Sequence, residues 1–239
     1  MKTLLTTAVV VVCCVSLPSW SEESAEHFET TINKRVTAKY LLIKPKDYSA
    51  SEEYPLLIFL HGRGEQGDDL EKVRIHGPFN KISELDIPVI IVAPQSPLDE
   101  WWDVDTLEAL TEELIGELNV DEDRVYLTGL SMGGAATWEL GVRHPEWFAA
   151  IAPICGWSVP SKASRLKNVA VWAFHGRRDK VIPVQETINM INSINETNTD
   201  ARLTIYPDAG HDSWTETYDN PELYKWLFSK RRVGDGGRP

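Results

Sequence analysis

Three residues of this chain could together perform nucleophilic acyl transfer: Ser131, Asp179 and His211, in that order along the sequence. A serine hydroxyl is a weak nucleophile until an imidazole takes its proton, and the imidazole works best when a carboxylate fixes its tautomer. Each of the three follows an apolar run. Residues 125–128 lead into Gly129-Leu-Ser131-Met-Gly133, residues 169–174 into His175-Gly-Arg-Arg-Asp179, and residues 201–206 into Pro207-Asp-Ala-Gly-His211. A bare G-x-S-x-G is a weak signal, because glycine and serine are common. Its setting sharpens it: a buried strand before and a helix after are what a nucleophile elbow needs, with the serine held on a strained strand-to-helix turn. The flanking glycines leave that turn uncrowded. The following helix aims backbone N–H groups and its positive dipole end at any anion forming on a substrate.

The base is found by elimination among six histidines. His27 lies near the start of the chain, and His61, His76 and His144 all precede the acid. His144 also closes a helical segment before Pro145. His175 stands four positions before Asp179 at the end of the same strand and reads as a brace for that loop. His211 alone follows the acid on a turn after its own strand. Asp179, just beyond the end of a strand, is the expected acid, and Asp208 is its competitor.

The motifs carry a resemblance. His61-Gly-Arg-Gly-Glu-Gln-Gly67, Ala93-Pro-Gln95, Gly129-Leu-Ser-Met-Gly-Gly134, His175-Gly-Arg-Arg-Asp179 and Gly210-His211 together resemble an α/β-hydrolase. Within that superfamily the chain is similar to the phospholipase/carboxylesterase-like and polyhydroxybutyrate-depolymerase/feruloyl-esterase-like secreted esterases. The likeness spans residues 39–228. Ser…Asp…His is the chain order of that fold. In a serine hydrolase of this architecture, the loop after the strand at 54–60 supplies one oxyanion donor and the residue after the nucleophile the other. Here those are the backbone N–H groups of Arg63 and Met132; being backbone donors, they leave the side chains free to vary.

Apolar strands alternate with helices. Strands are expected at 56–60, 89–93, 125–128, 148–154, 169–174 and 203–206, and helices at 107–118, 132–143, 184–194 and 222–229. Residues 30–43 alternate like one or two antiparallel edge strands. This is the pattern of an α/β-hydrolase fold: a mostly parallel twisted sheet with helices on both faces. Only residues 156–168 join the strands at 148–154 and 169–174, too few for a cap domain, so an open site suited to soluble or polymer-linked esters is expected. Nine tryptophans are present. Trp101, Trp102 and Trp157 fall on the C-terminal side of strands, where ligands of such sheets bind. Either they stack on an aromatic acyl group or a sugar, or they roof the core beneath the site loops. Gln95 is assigned to substrate binding alongside them.

A length of 239 residues suits a single catalytic domain, expected at 22–229, with a flexible tail at 230–239. Met1-Lys2 and the apolar residues 4–15 read as a secretory signal peptide ending near Ser21 or Ser19, and so as a secreted or periplasmic protein. Cys13-Cys14 raises a lipoprotein anchor as a rival, although the valines before them are not the small residues such an anchor needs. Without the leader Cys155 stands alone, so no intramolecular disulfide can form. Net charge is −12, against a phosphate-tracking or anionic-bilayer partner. No cofactor and no metal is implied, since no His-Glu-x-x-His or clustered ligand spacing occurs. Ester hydrolysis on short-chain or aromatic, feruloyl- or acetyl-type esters is the leading expectation. An oligopeptidase and an inactive binding protein on the same scaffold are the alternatives.

Overall fold

The computed structural model describes residues 25, 27–31, 33–196 and 201–232. The expected leader and residues 233–239 of the expected tail lie outside them. The chain divides into two units, Met1–Arg35 and Val36–Pro239. The described residues of the first belong to no helix or strand.

Among the described residues, one sheet of seven strands carries the fold: β1 (Lys39–Ile43), β2 (Tyr54–Leu60), β3 (Ile90–Gln95), β4 (Val120–Leu130), β5 (Ala150–Ile154), β6 (Ala170–Gly176) and β7 (Ala201–Tyr206). Their spatial order is β1-β3-β2-β4-β5-β6-β7. Only β1 runs antiparallel, paired with β3 at the edge. This is the α/β-hydrolase arrangement. Strands β2, β3 and β5 are buried along their whole length, as expected for parallel strands covered on both faces. Alternation along β2 divides the core. Leu56, Ile58 and Leu60 pack with residues of α2 (Val104–Glu117), α3 (Met132–Arg143) and α4 (Val184–Asn195). Leu57 and Phe59 face residues of α1 (Phe79–Glu84), α5 (Trp214–Asp219) and α6 (Pro221–Ser229).

From β2 the chain steps outward to β3, then crosses back to β4 on the other side of β2. That reversal is a topological switch point, and it opens a crevice at the C-terminal ends of β2 and β4. The elbow after β4 and the glycine loop after β2 meet there.

Most strand ends fall within two residues of the expectation, and the larger departures are at β1 and β4. β1 begins at Lys39, not near residue 30, because its ladder with β3 ends at the pair Lys39↔Gln95 and β3 goes no further. β4 begins five residues early: Tyr54 pairs with Val120, and the next pair is Leu56↔Val125. Residues 121–124 therefore bulge from the ladder, with Arg124 Nε donating to Asp121 Oδ2 at 2.6 Å. Helices α1 and α5, six residues each, are too short to show a helical period. The connection at 156–168 forms the 3-10 helix Pro160–Leu166, pinned by buried Ala163 and Leu166, and builds no cap. No helix among the described residues is long and apolar enough to cross a membrane.

His61, at the end of β2, locks two loops together. It is fully buried, its Nε2 accepts from the Ser96 N–H at 3.0 Å, and Nδ1 donates to the Gly62 carbonyl. Burial pulls its pKa from 6.5 down to about 4. The unfolded chain therefore takes up this proton first as pH falls. The stability it contributes is complete above about pH 6.5 and is lost as pH drops from there to about 4, in total about 3 kcal/mol. Urea midpoints at pH 7 and pH 4.5 should thus differ more in the wild type than in His61→Asn; equal differences would refute the assignment.

Candidate active site

Ser131 sits between β4 and α3 with φ 53° and ψ −115°, a conformation that side-chain-bearing residues rarely adopt. Such strain is of order 1–3 kcal/mol and persists only where the surroundings impose it. Here they do: the Ser131 N–H donates to the Ile154 carbonyl at 2.9 Å, and its own carbonyl accepts from the Ala135 N–H at 2.9 Å. The neighbouring glycines serve close approach. A Cβ on Gly133 would lie 2.0 Å from the Leu60 carbonyl oxygen, and one on Gly129 2.5 Å from that of Gly133. Only backbone without side chains lets β2, β4 and α3 converge this tightly.

The structure brings Ser131, His211 and Asp179 into one hydrogen-bonded chain. Ser131 Oγ is 2.9 Å from His211 Nε2, and His211 Nδ1 is 2.7 Å from Asp179 Oδ2. With the Nδ1 proton donated to the carboxylate, Nε2 offers its lone pair to the serine hydroxyl. Asp179 has a fully buried side chain and four donors. Val181 and Ile182 N–H groups bond Oδ1 at 2.8 and 2.9 Å, and His175 Nε2 joins His211 on Oδ2 at 3.1 Å. Burial opposes the carboxylate charge, but the His211 bond and the two backbone N–H bonds outweigh it and hold its pKa below the ordinary value. The competitor Asp208 is exposed and pairs with Arg178 at 2.6 Å.

His175 braces this loop, as its position suggests, and it does so through the acid itself. Its Nε2 faces two acceptors, Asp179 Oδ2 and the Ile182 carbonyl at 3.0 Å, so the proton resides there. Nδ1 is left to accept from the Thr187 hydroxyl at 2.8 Å. Burial pulls its pKa down, against the opposing pull of Ile182 and Asp179.

Above Ser131 lies a cleft of about 830 Å³. Arg63 opens the 3-10 helix Arg63–Glu65 on one side, and Met132 is the first residue of α3, whose leading N–H groups lack intrahelical acceptors. Both residues line the cleft with Ser131 and His211. Trp101 and Trp157 line it too, edge to face with centroids 5.4 Å apart. Trp102 does not. It donates from Nε1 to the His61 carbonyl at 3.1 Å and lines, with Trp101 and Trp157, a smaller cavity of about 280 Å³. Gln95 is corrected: it is buried at the end of β3, where its amide donates to the carbonyls of Glu65 and Asp69, both at 2.8 Å. A side chain committed to holding the glycine loop from below is not free to meet substrate. Sequence reasoning passed over Glu65, His76 and Trp214, all of which line the cleft. The signal for Glu65 was there, a charged residue inside a glycine loop directly after a buried strand.

One trio among the described residues is close enough to share a metal ion: Cys155, Asp179 and His211, with ligand atoms within 4.8 Å of one another. Burial pushes the Cys155 thiol up to about 12, which keeps it protonated, and His211 and Asp179 are already bonded to each other. A protonated thiol beside an Asp–His pair already bonded to each other is a poor donor set for a metal ion.

A parallel sheet with an antiparallel edge strand, an elbow serine after β4 and an acid and an imidazole after β6 and β7 define an α/β-hydrolase. The sequence profile of the dienelactone hydrolase family matches residues 100–224, more than half of the chain, and the protein belongs to that family. It is 28% identical over 172 residues to the putative esterase NocK of Nocardia uniformis subsp. tsuyamanensis, covering 65% of this chain and 48% of that protein. With a probable feruloyl esterase C of Aspergillus niger it shares 26% over 187 residues, 75% of this chain and 69% of the relative. A crystal structure of a thermostable esterase superposes with a TM-score of 0.74 at 33% identity, covering 81% of this chain and 59% of the other. The chain thus spans about half the length of NocK and well under two thirds of the thermostable esterase.

Proposed function

We propose that the protein is a serine carboxylic-ester hydrolase working through an acyl-enzyme. One observation carries the reading: the chain Ser131–His211–Asp179, bonded at 2.9 and 2.7 Å, whose Ser131 and His211 line an open cleft while Asp179 is buried behind them. Ser131 Oγ attacks the ester carbonyl as His211 Nε2 takes its proton. Asp179 fixes the imidazole tautomer and stabilises the imidazolium. The N–H groups of Arg63 and Met132 receive the oxyanion; a donor of this kind is worth roughly 3 kcal/mol. The tetrahedral intermediate collapses, its C–O bond breaks, and the leaving alcohol takes the proton from His211. Water then attacks the acyl-enzyme by the same route, releasing the acid and restoring the serine.

The substrates are short-chain or aromatic esters of the feruloyl or acetyl type. The edge-to-face pair Trp101 and Trp157, the uncapped cleft and the named activities of the relatives support that class. With no cap, methylenes beyond a shallow pocket stay wet and forgo about 0.8 kcal/mol each. A series of p-nitrophenyl esters should therefore give a kcat/KM maximum between acetyl and butyryl, with no gain beyond octanoyl. Methyl ferulate should also be hydrolysed, and Trp157→Ala should hurt it more than the acetyl ester. A maximum at palmitoyl, or hydrolysis of peptide anilides without that of esters, would overturn the reading.

A further inference from the structure

The cleft lining beside His211 includes two residues, Glu65 and Trp214, that each carry a buried polar atom without a formed hydrogen bond. Trp214 stands edge-on to the His211 ring at 5.4 Å and next to the His76 ring at 5.6 Å. His76 Nε2 in turn lies 3.7 Å from Glu65 Oε1. Glu65 is only 6% exposed, yet it is part of the cleft lining. Its Oε2, 4.0 Å from His61 Nδ1, and the Trp214 Nε1 each lack a hydrogen-bond partner and are shielded from bulk water. Groups stripped of water without replacement bonds are costly and uncommon in folded proteins. Elsewhere Trp101, Trp157, Val181, Ile182 and Pro183 give the lining an apolar stretch, with Arg63 and Glu186 as its other charged residues. Unmet polarity is thus gathered on one side of the cleft lining: an acceptor on Glu65, whose other oxygen faces His76, and a donor on Trp214, whose ring lies beside the same imidazole.

We propose that Glu65 and Trp214, with His76 beside both, form a subsite for a free hydroxyl on the ester substrate, which donates to the Glu65 carboxylate and accepts from the Trp214 indole N–H. The inference rests on the ester-hydrolase reading and refines its substrate class to hydroxyl-bearing esters. A hydroxyl suits the pair because it is donor and acceptor at once. An ammonium could satisfy Glu65 but has nothing to offer an N–H, and His76 already competes for the carboxylate. Burial raises the Glu65 pKa, against the opposing effects of His76 and of the N–H groups of Gly62 and Glu65; a carboxyl that picks up a proton still accepts through its other oxygen.

The hydroxyl could belong to the acyl group, as in a phenolic acid, or to the alcohol, as in a polyol or sugar. Two matched pairs of esters separate these sources: methyl 4-hydroxycinnamate against methyl cinnamate, and 2-hydroxyethyl butyrate against propyl butyrate. In the wild type, kcat/KM should favour the hydroxylated member of one pair by about 10- to 100-fold, as expected for a hydrogen bond to a charged group. Glu65→Leu should collapse that ratio towards one, and Trp214→Phe should reduce it. Glu65→Gln, nearly isosteric, keeps an acceptor and should retain part of it, which guards against a Leu variant that fails to fold. Wild-type ratios near one in both pairs, ratios unchanged in the Glu65 variants, or a preference confined to choline butyrate over 3,3-dimethylbutyl butyrate would overturn the hydroxyl subsite. Failure of the ester reading looks different: none of the esters would be hydrolysed, or their hydrolysis would survive Ser131→Ala.

Discussion

Ser131→Ala is expected to lower ester turnover roughly 10⁴- to 10⁶-fold, the range seen when the nucleophile of a serine hydrolase is removed. The hydroxyl has one side-chain partner, His211 Nε2 at 2.9 Å, while the strained turn is held by the backbone bonds to Ile154 and Ala135, which alanine keeps. The thermal midpoint should accordingly stay within a few degrees of the wild type. A fluorophosphonate probe should label the wild type stoichiometrically and leave the folded Ala variant unlabelled. Turnover within tenfold of the wild type would remove Ser131 from the role of nucleophile.

Asp179→Asn should have the second largest effect, about 10⁴-fold on kcat, for a reason that differs in kind. An Asn amide has one oxygen to offer where the carboxylate receives four donors: His211 Nδ1, His175 Nε2 and the N–H groups of Val181 and Ile182. Whichever way the amide turns, its NH₂ meets N–H donors. Turned towards Oδ2 it drives His211 into the wrong tautomer, with the proton on Nε2 facing the serine. Turned towards Oδ1 it strands two backbone N–H groups, at about 1–3 kcal/mol of stability. Kinetics and melting curves on the same preparation separate the two arrangements. Asp208→Asn is the control. Its carboxylate is exposed and tied only to Arg178, so activity should stay near that of the wild type; a loss exceeding that of Asp179→Asn would mean that the acid has been misassigned.

Much of the architecture was legible in local pattern. The buried strands announced themselves as apolar runs, because a strand covered on both faces has no position at which a polar residue is free. The elbow was legible for a related reason: a strained serine flanked by backbone-on-backbone contacts admits few residues but glycine at 129 and 133. Helices α1 and α5 were not legible, since six residues do not complete two turns. Nor was the early start of β4, where Val120 pairs with Tyr54 before a bulge that no spacing announces.

The sequence by itself determined the order of Ser131, Asp179 and His211 and the end of the strand on which each falls, because periodicity and glycine placement are local properties of the chain. Only the tertiary structure decided which side chains meet. Gln95 and Trp102 stand as close in sequence to the site loops as Trp101 does, yet their amide and indole are spent on the carbonyls of Glu65, Asp69 and His61. Glu65, His76 and Trp214 are scattered over 150 residues and converge on one wall of the cleft. The reason is the crossover at β2. It folds the loops after β2, β4, β6 and β7 over one crevice, and which side chains face that crevice depends on strand order, a non-local property that no window of sequence contains.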